Sequence, residues 1–159
     1  MAAKKPTRIP AEIVNRRAKY EYEILQEIEA GIVLMGSELK SIRTGKVNLQ
    51  DAFAVQKLEE IWLHNLHISE YSAAKHFSHE PKRQRKLLLH KKEIRKLIGL
   101  LQTQGITLIP LKLYFNEKGR VKLLLAVGKG KKAHDKRESE KQKDWVRERG
   151  RILKGDLSG

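Results

Sequence analysis

From Tyr20 to Ile24 the chain alternates Tyr-Glu-Tyr-Glu-Ile, and Ile28 falls on the same parity four residues later. Glu21, Glu23, Glu27 and Glu29 all take the opposite parity. A period of two is that of a strand with one buried and one wet face, so this segment reads as a half-buried strand with an acidic side. Ala30 to Leu34 continues it or turns into a second strand. Val47 to Val55 and Ile61 to Ile68 read as two more strands, joined near Lys57 to Glu60. Ile106 to Phe115 and Val121 to Val127 form a hairpin across Asn116 to Gly119. Proline cannot donate to a ladder, so Pro110 implies an edge position or a bulge in its strand.

The helical signals are fewer. Ile94, Leu97, Ile98 and Leu101 keep the i, i+3, i+4, i+7 spacing of a helix face, and Gly105 lies just beyond as a stop. A short helix over Pro10 to Lys19 is expected from the proline at its start and the apolar Ile13 and Val14. Another is expected between an N-cap at Ser37 and a stop at Gly45. A basic loop, about Ser72 to Lys86, completes the outline. Five or six short strands with one substantial helix before the last hairpin fit a mainly β fold with α: an OB-like Greek-key barrel over residues 20–128. A small α+β sandwich is the competing layout.

Charge decides what such a barrel would bind. The chain carries 34 Lys and Arg against 19 Asp and Glu. The excess is uneven: residues 20–74 are net −5, whereas residues 75–104 are net +7 and both ends are net +5. Localised basic surfaces indicate a polyanionic partner. No apolar run approaches the roughly 18 residues that span a bilayer, and no exposed Trp, Phe or Leu face accompanies the basic residues, so nucleic acid is favoured and no membrane partner is expected. Cysteine is absent, which excludes disulfides and thiolate metal sites and is compatible with the cytoplasm. Residues 1–19 read as a basic N-terminal segment and residues 129–159 as a basic tail with too few apolar residues for a core of its own. Within the tail Trp145 and Val146 stand seven residues before Ile152 and Leu153, on one face only if the segment is helical. The reading is a tail that is disordered when free and becomes helical on a partner, with Gly150 weakening that helix.

Nothing in the chain reads as catalytic, and no cofactor is implied. His64 and His67, three apart on a strand, point to opposite faces, and His76 and His79 lie in a basic loop that repels cations, so no metal site is expected. Glu29, Glu38, Asp51 and Asp135 have no spacing that requires a nuclease cluster. The candidates are instead Asn15, Arg16 and Arg17; Arg83, Arg85 and Lys86 beside Leu88; and Lys129 with Lys131. Cations there neutralise phosphates, and Tyr22 offers a stacking face.

The segments NRRAKYEYEI (15–24), EAGIVLMGSELKSIRTGKVNLQDAFA (29–54), RKLLLHKKEI (85–94), IPLKLYF (109–115) and GKGKKAHDKRE (128–138) together resemble the SsrA-binding protein, or small protein B, family of bacterial trans-translation. The resemblance runs from about Ile13 to Leu153 and implies a six-stranded OB-like barrel with three helices. It also implies a non-enzymatic adaptor, expected to be a monomer. Such an adaptor binds the tRNA-like domain of transfer-messenger RNA and delivers it, alanine-charged and with elongation factor Tu, to stalled ribosomes. By the same resemblance Asn15, Tyr22, Glu29, Leu88 and Lys131 are RNA-contacting positions, and His134, Asp135, Lys136 and Arg137 contact the ribosome. The tail then enters the decoding centre and messenger channel, where Trp145, Ile152 and Leu153 would lie on its helical face. The alternative function is a structural or assembly-related ribosomal protein. Leu58-Glu59-Glu60, where the family often has a glycine-containing turn, and the unusually apolar Leu123-Leu124-Leu125 are departures from the pattern.

Overall fold

The last hairpin organises the molecule. In the computed structural model, which describes residues 12–71, 78–131 and the tail residues 137, 141 and 147, β8 (Ile106–Phe115) and β9 (Val121–Gly130) pair antiparallel along their length. Their turn is held by the Asn116 side chain, whose Oδ1 accepts from the N–H groups of Lys118 and Arg120 at 3.1 and 2.8 Å. Gly119 takes φ +76° there, a conformation that costs glycine nothing.

Around this hairpin run β2 (Tyr22–Ile32), β4 (Phe53–Lys57), β5 (Glu60–His64) and β7 (Arg85–Leu88). The order β8-β4-β5-β7-β2-β9 closes because β9 also pairs with β8, giving a six-stranded antiparallel ring. A two-residue strand, β1 (Ile13–Val14), joins β8 beside Lys112 and Leu113, while β4 pairs with the same strand at Leu108. A separate ribbon joins β3 (Val47–Asn48) to β6 (His67–Ile68). The helices whose bounds are described are α1 (Ala18–Glu21), α2 (Gly36–Arg43) and α3 (Lys91–Leu101). The mainly β, barrel-like class read from the pattern is the one observed. No described helix is long and apolar enough to cross a membrane.

Two bulges divide the apolar residues between two cores. The ring interior holds Ala30, Ile61, Leu63, Leu87, Leu97, Leu108, Leu113, Leu123, Leu125 and Val127, among others. Outside it, Ala18, Ile109, Leu111 and Ala126 form a second cluster, packed against by Tyr22, Ile24 and Leu124. In β2 the register shifts between Ile24 and Gln26, and in β8 between Pro110 and Lys112. An extra residue reverses which parity faces inward. Hence Tyr22 and Ile24 serve the outer cluster while Ile28 and Ala30, of the same parity, serve the interior. Leu124 is apolar because it covers the outer cluster, which accounts for the Leu123-Leu124-Leu125 run.

Several expected boundaries move. The helix expected over Pro10 to Lys19 is replaced, in its described part, by β1 and the one-turn α1. Pairing of Ile13 and Val14 with β8, extended by the Asn15 N–H to Leu111 at 2.7 Å, outweighs helical propensity. Val47 to Val55 breaks into two strands at a turn closed by Ala52 N–H to Leu49 O. Ile61 to Ile68 breaks at Asn65, which takes φ +58°. β7 falls at the end of the stretch expected to be a loop. Helix α2 starts after Met35, not Ser37, because the Glu38 carboxylate accepts the Met35 N–H at 2.8 Å. β9 ends at Gly130, two residues beyond the expected barrel limit.

Candidate nucleic-acid interface

On the outward side of β2, after its bulge, stand Glu29 and Gly31. Glu29 lies opposite Leu124 of β9, which lies opposite Lys112 of β8. The next row across the sheet is Leu88, Gly31, Lys122 and Tyr114. Leu88 is 52% exposed, unusual for a leucine beside a core. A Cβ on Gly31 would come 3.1 Å from the Leu88 Cβ, so the missing side chain lets β7 carry Leu88 in close. The exposed Glu29 accepts a hydrogen bond from the Tyr114 hydroxyl. Burial, reinforced by that bond and the Glu29 charge, pushes the Tyr114 hydroxyl up to about 12. Tyr114 also carries Lys112 over its ring, 5.2 Å from the centroid. One carboxylate oxygen is thus fixed, and the remaining lone pairs of Glu29 face outward.

The other end of β2 gathers a second group. Arg16 and Arg17 are exposed at the turn before α1. With Ile13 to Asn15 and Val47 to Gln50 they line a cleft of about 400 Å³. Tyr22 walls an adjoining cleft of about 230 Å³, shared with Asp51, Phe53 and Ile109. Lys129 is exposed opposite Glu23, and the Lys131 N–H bonds to Glu21 O at 2.9 Å. Asn15 itself is buried. Its Nδ2 donates to Pro110 O at 3.0 Å and Leu49 O at 3.4 Å, fastening β1 at the β8 bulge. Tyr22 and Leu88 are separated by most of β2, roughly 30 Å at 3.3 Å per residue.

The third expected group is not a free basic patch. Arg85 has no exposed surface. Its guanidinium donates to Glu38, to Leu66 O at 2.6 Å and to Pro81 O at 3.1 Å. Its assignment as an RNA contact is therefore corrected: it is a core cation. Arg83 donates to the same carboxylate and to Val33 O. Lys86 pairs with Glu60 at 3.1 Å, and hydrogen bonds from Lys86 and Trp62 hold the Glu60 carboxyl below its ordinary range. Three cations here face two carboxylates, so little charge is left for phosphate. Burial raises the Glu38 carboxyl, but bonds from Arg83, the Met35 N–H and Arg85 outweigh it and hold the group below its usual value. Glu38 is fully buried against Arg85, whereas Glu29 is exposed on the outward side of β2. His79 is a core residue: its Nε2 donates to Ile68 O and its Nδ1 accepts from Ser37.

Residues 12–155 match the profile of the SmpB protein family. The chain belongs to that family. It is 58% identical over 154 residues to the SsrA-binding protein of Bradyrhizobium sp. strain BTAi1, covering 97% of this chain and 98% of that one. It is 57% identical over 143 residues to the SsrA-binding protein of Wolbachia sp. subsp. Drosophila simulans strain wRi, covering 90% and 96%. Among solved structures it is similar to a chain described as "tmRNA-SmpB: a journey to the center of the bacterial ribosome", with a TM-score of 0.67, 48% identity and coverage of 80% of this chain and 92% of that one.

The family's departing turn has a physical reading here. Leu58 and Glu59 form a two-residue link between β4 and β5, and Leu58 adopts φ +57° at 86% exposure. That is the position a tight hairpin ordinarily gives to glycine. The tail residues His134, Asp135, Lys136, Trp145, Ile152 and Leu153 lie outside the described residues. Arg137 is described, exposed and in helical backbone. Lys112, Lys122 and Tyr114 were not among the sequence candidates. Their signal, standing opposite Glu29 and Gly31, emerges only once the β2–β9–β8 register is known.

Proposed function

We propose that this chain is a non-enzymatic RNA-binding adaptor. It binds the tRNA-like domain of transfer-messenger RNA and brings it to stalled ribosomes for trans-translation, in the cytoplasm. The similarity to proteins named for SsrA binding and to a tmRNA-SmpB complex supports this reading. The observation that carries it is an outward carboxylate, Glu29, held by Tyr114 beside an exposed leucine, on a wall with Lys112 and Lys122. A polyanion should be repelled by Glu29 unless a base meets it. Guanine's N1–H and N2–H₂ form a paired donor edge that a carboxylate matches, open only in an unpaired base. Leu88 gives that base an apolar surface, and Arg16, Arg17, Lys129 and Lys131 neutralise the backbone further along β2. Asn15 acts by fixing the segment that carries the two arginines. Elongation factor Tu joins through the charged RNA.

The tail is assigned to the ribosome: His134 to Arg137 at the decoding centre, and Trp145, Ile152 and Leu153 ordered as a helix in the messenger channel. Glu29→Gln tests the barrel reading. It should weaken binding to the tRNA-like domain by about 1–3 kcal/mol, as loss of a charged hydrogen bond does, and leave unrelated RNA little changed. Equal binding by both proteins would remove Glu29 from the interface. Ile152→Asp with Leu153→Asp tests the tail: RNA binding should persist while tagging of stalled peptides is lost.

A further inference from the structure

Helix α3 carries a feature that the barrel does not use. At about 100° per residue, Ile94, Leu97, Ile98 and Leu101 form one stripe, and all four pack in or against the ring core or are partly buried. Lys92 and Lys96 fall on the opposite face and Lys91 and Arg95 on the adjoining flank, and all four are exposed. Among the described residues none of them makes an ion pair; the helix's first-turn acid, Glu93, faces His90 instead. Lys91 and Lys92 also occupy the first turn, where the helix dipole disfavours cations. Gly99 lies on the same side one turn beyond Arg95 and Lys96, in a helix that glycine weakens. A Cβ there would meet nothing within 4 Å. Uncompensated charge, a dipole conflict and a bare glycine are three costs to the free protein, and all fall on one surface.

A phosphate backbone would offset all three. Lys91 and Lys92 lie one turn, about 6 Å, from Arg95 and Lys96, so two pairs of cations face successive phosphates, and Gly99 leaves the strip flat enough for close approach. Only Leu89 and His90 separate the exposed Leu88 from the helix. We infer that the Lys91–Lys92–Arg95–Lys96 face of α3, flattened at Gly99, is a phosphate-binding surface that receives the backbone of the RNA held at Glu29 and Leu88. This rests on the reading of that face given above.

The test uses the full chain and a transcript of the tRNA-like domain of transfer-messenger RNA. Replacing all four cations by Gln, a good helix former, should leave far-UV circular dichroism intact and melting no lower. The log–log salt slope should become shallower by about 3 and binding should weaken at least tenfold, since each lost phosphate contact removes about 0.7–0.9 from the slope. Gly99→Ala and Gly99→Gln should raise the melting temperature yet weaken RNA binding, more for Gln, a pairing of signs that a purely structural glycine does not give. An unchanged slope in the fourfold variant, while Glu29→Gln weakens binding, overturns this inference and leaves the Glu29 reading standing. If neither variant alters binding, the Glu29 reading fails and this one with it. If the fourfold variant keeps RNA binding but loses ribosome association, the phosphates belong to the ribosome and the inference is wrong.

Discussion

Replacing Glu38 by glutamine removes one charge and almost no volume, but it leaves Arg85 ionised in the core. Both side chains are fully buried. Burial pushes the Arg85 guanidinium down, the Glu38 carboxylate raises it, and the group stays charged. In the variant its partners are the glutamine amide oxygen and the carbonyls of Leu66 and Pro81, none of which carries a full charge. Breaking one side of a buried pair costs about 3–5 kcal/mol, against total stabilities of about 5–15. In urea, with a slope of about 2 kcal/mol per molar, the midpoint should fall by about 1.5–2.5 M at unchanged slope. Because the folded Glu38 carboxyl is held below its unfolded value, its contribution is present above the unfolded pKa and lost as pH falls through the folded one. The wild-type advantage over Glu38→Gln should therefore shrink in acid. Glu38→Leu with Arg85→Met should recover at least about 2 kcal/mol relative to either single variant. A loss below 1 kcal/mol in Glu38→Gln would refute the argument and return Arg85 to the list of possible phosphate contacts.

Tyr114→Phe should leave melting within about 1 kcal/mol and weaken binding of the tRNA-like domain, as measured by filter retention, because Glu29 loses its donor. In the native protein Tyr114 should ionise near 12; followed by tyrosinate absorbance, Glu29→Gln should bring that value down. A tyrosine raised in the folded state adds stability below the unfolded value near 10 and loses it as pH climbs through about 12. Leu58→Gly should stabilise the fold by about 0.5–1 kcal/mol in denaturant melts, since left-handed backbone costs leucine about 1–2 kcal/mol and glycine's greater unfolded entropy takes part of that back. Gly31→Ala, with a Cβ 3.1 Å from that of Leu88, should displace Leu88 by a few tenths of an ångström and reduce RNA affinity more than stability.

The parts legible in the sequence were those whose signal is local. Helix α3 follows from four apolar residues at helical spacing, and the β8–β9 hairpin from two strand-like runs around Asn116 and Gly119. Pro110 marked its bulge because proline lacks the N–H that a regular ladder needs. The bulge in β2 had no such marker: Tyr22, Ile24 and Ile28 share a parity, and nothing in their chemistry says that the sheet face changes between them. β7 was hidden for another reason. Arg83, Arg85 and Lys86 look like solvent-facing charge, and only the fold brings Glu38, 47 residues from Arg85, to meet them. Glu29 and Leu88 came from the family resemblance, and their contiguity with Lys122 and Tyr114 came from register. The lesson of Arg85 is that a charge run is read correctly only together with its distant carboxylates.

Closure of the ring between β2 and β9 has a consequence for the chain's birth. At about 5–20 residues per second, β2 emerges some 5–20 s before β9 exists to pair with its long outer edge. Throughout that interval an eleven-residue strand is a nascent segment without its main partner, open to pairing with any neighbouring chain. Glu23, Glu27 and Glu29, spaced along it, keep that edge charged while it waits. The same carboxylate that a nucleobase would read in the finished protein first guards the unfinished one.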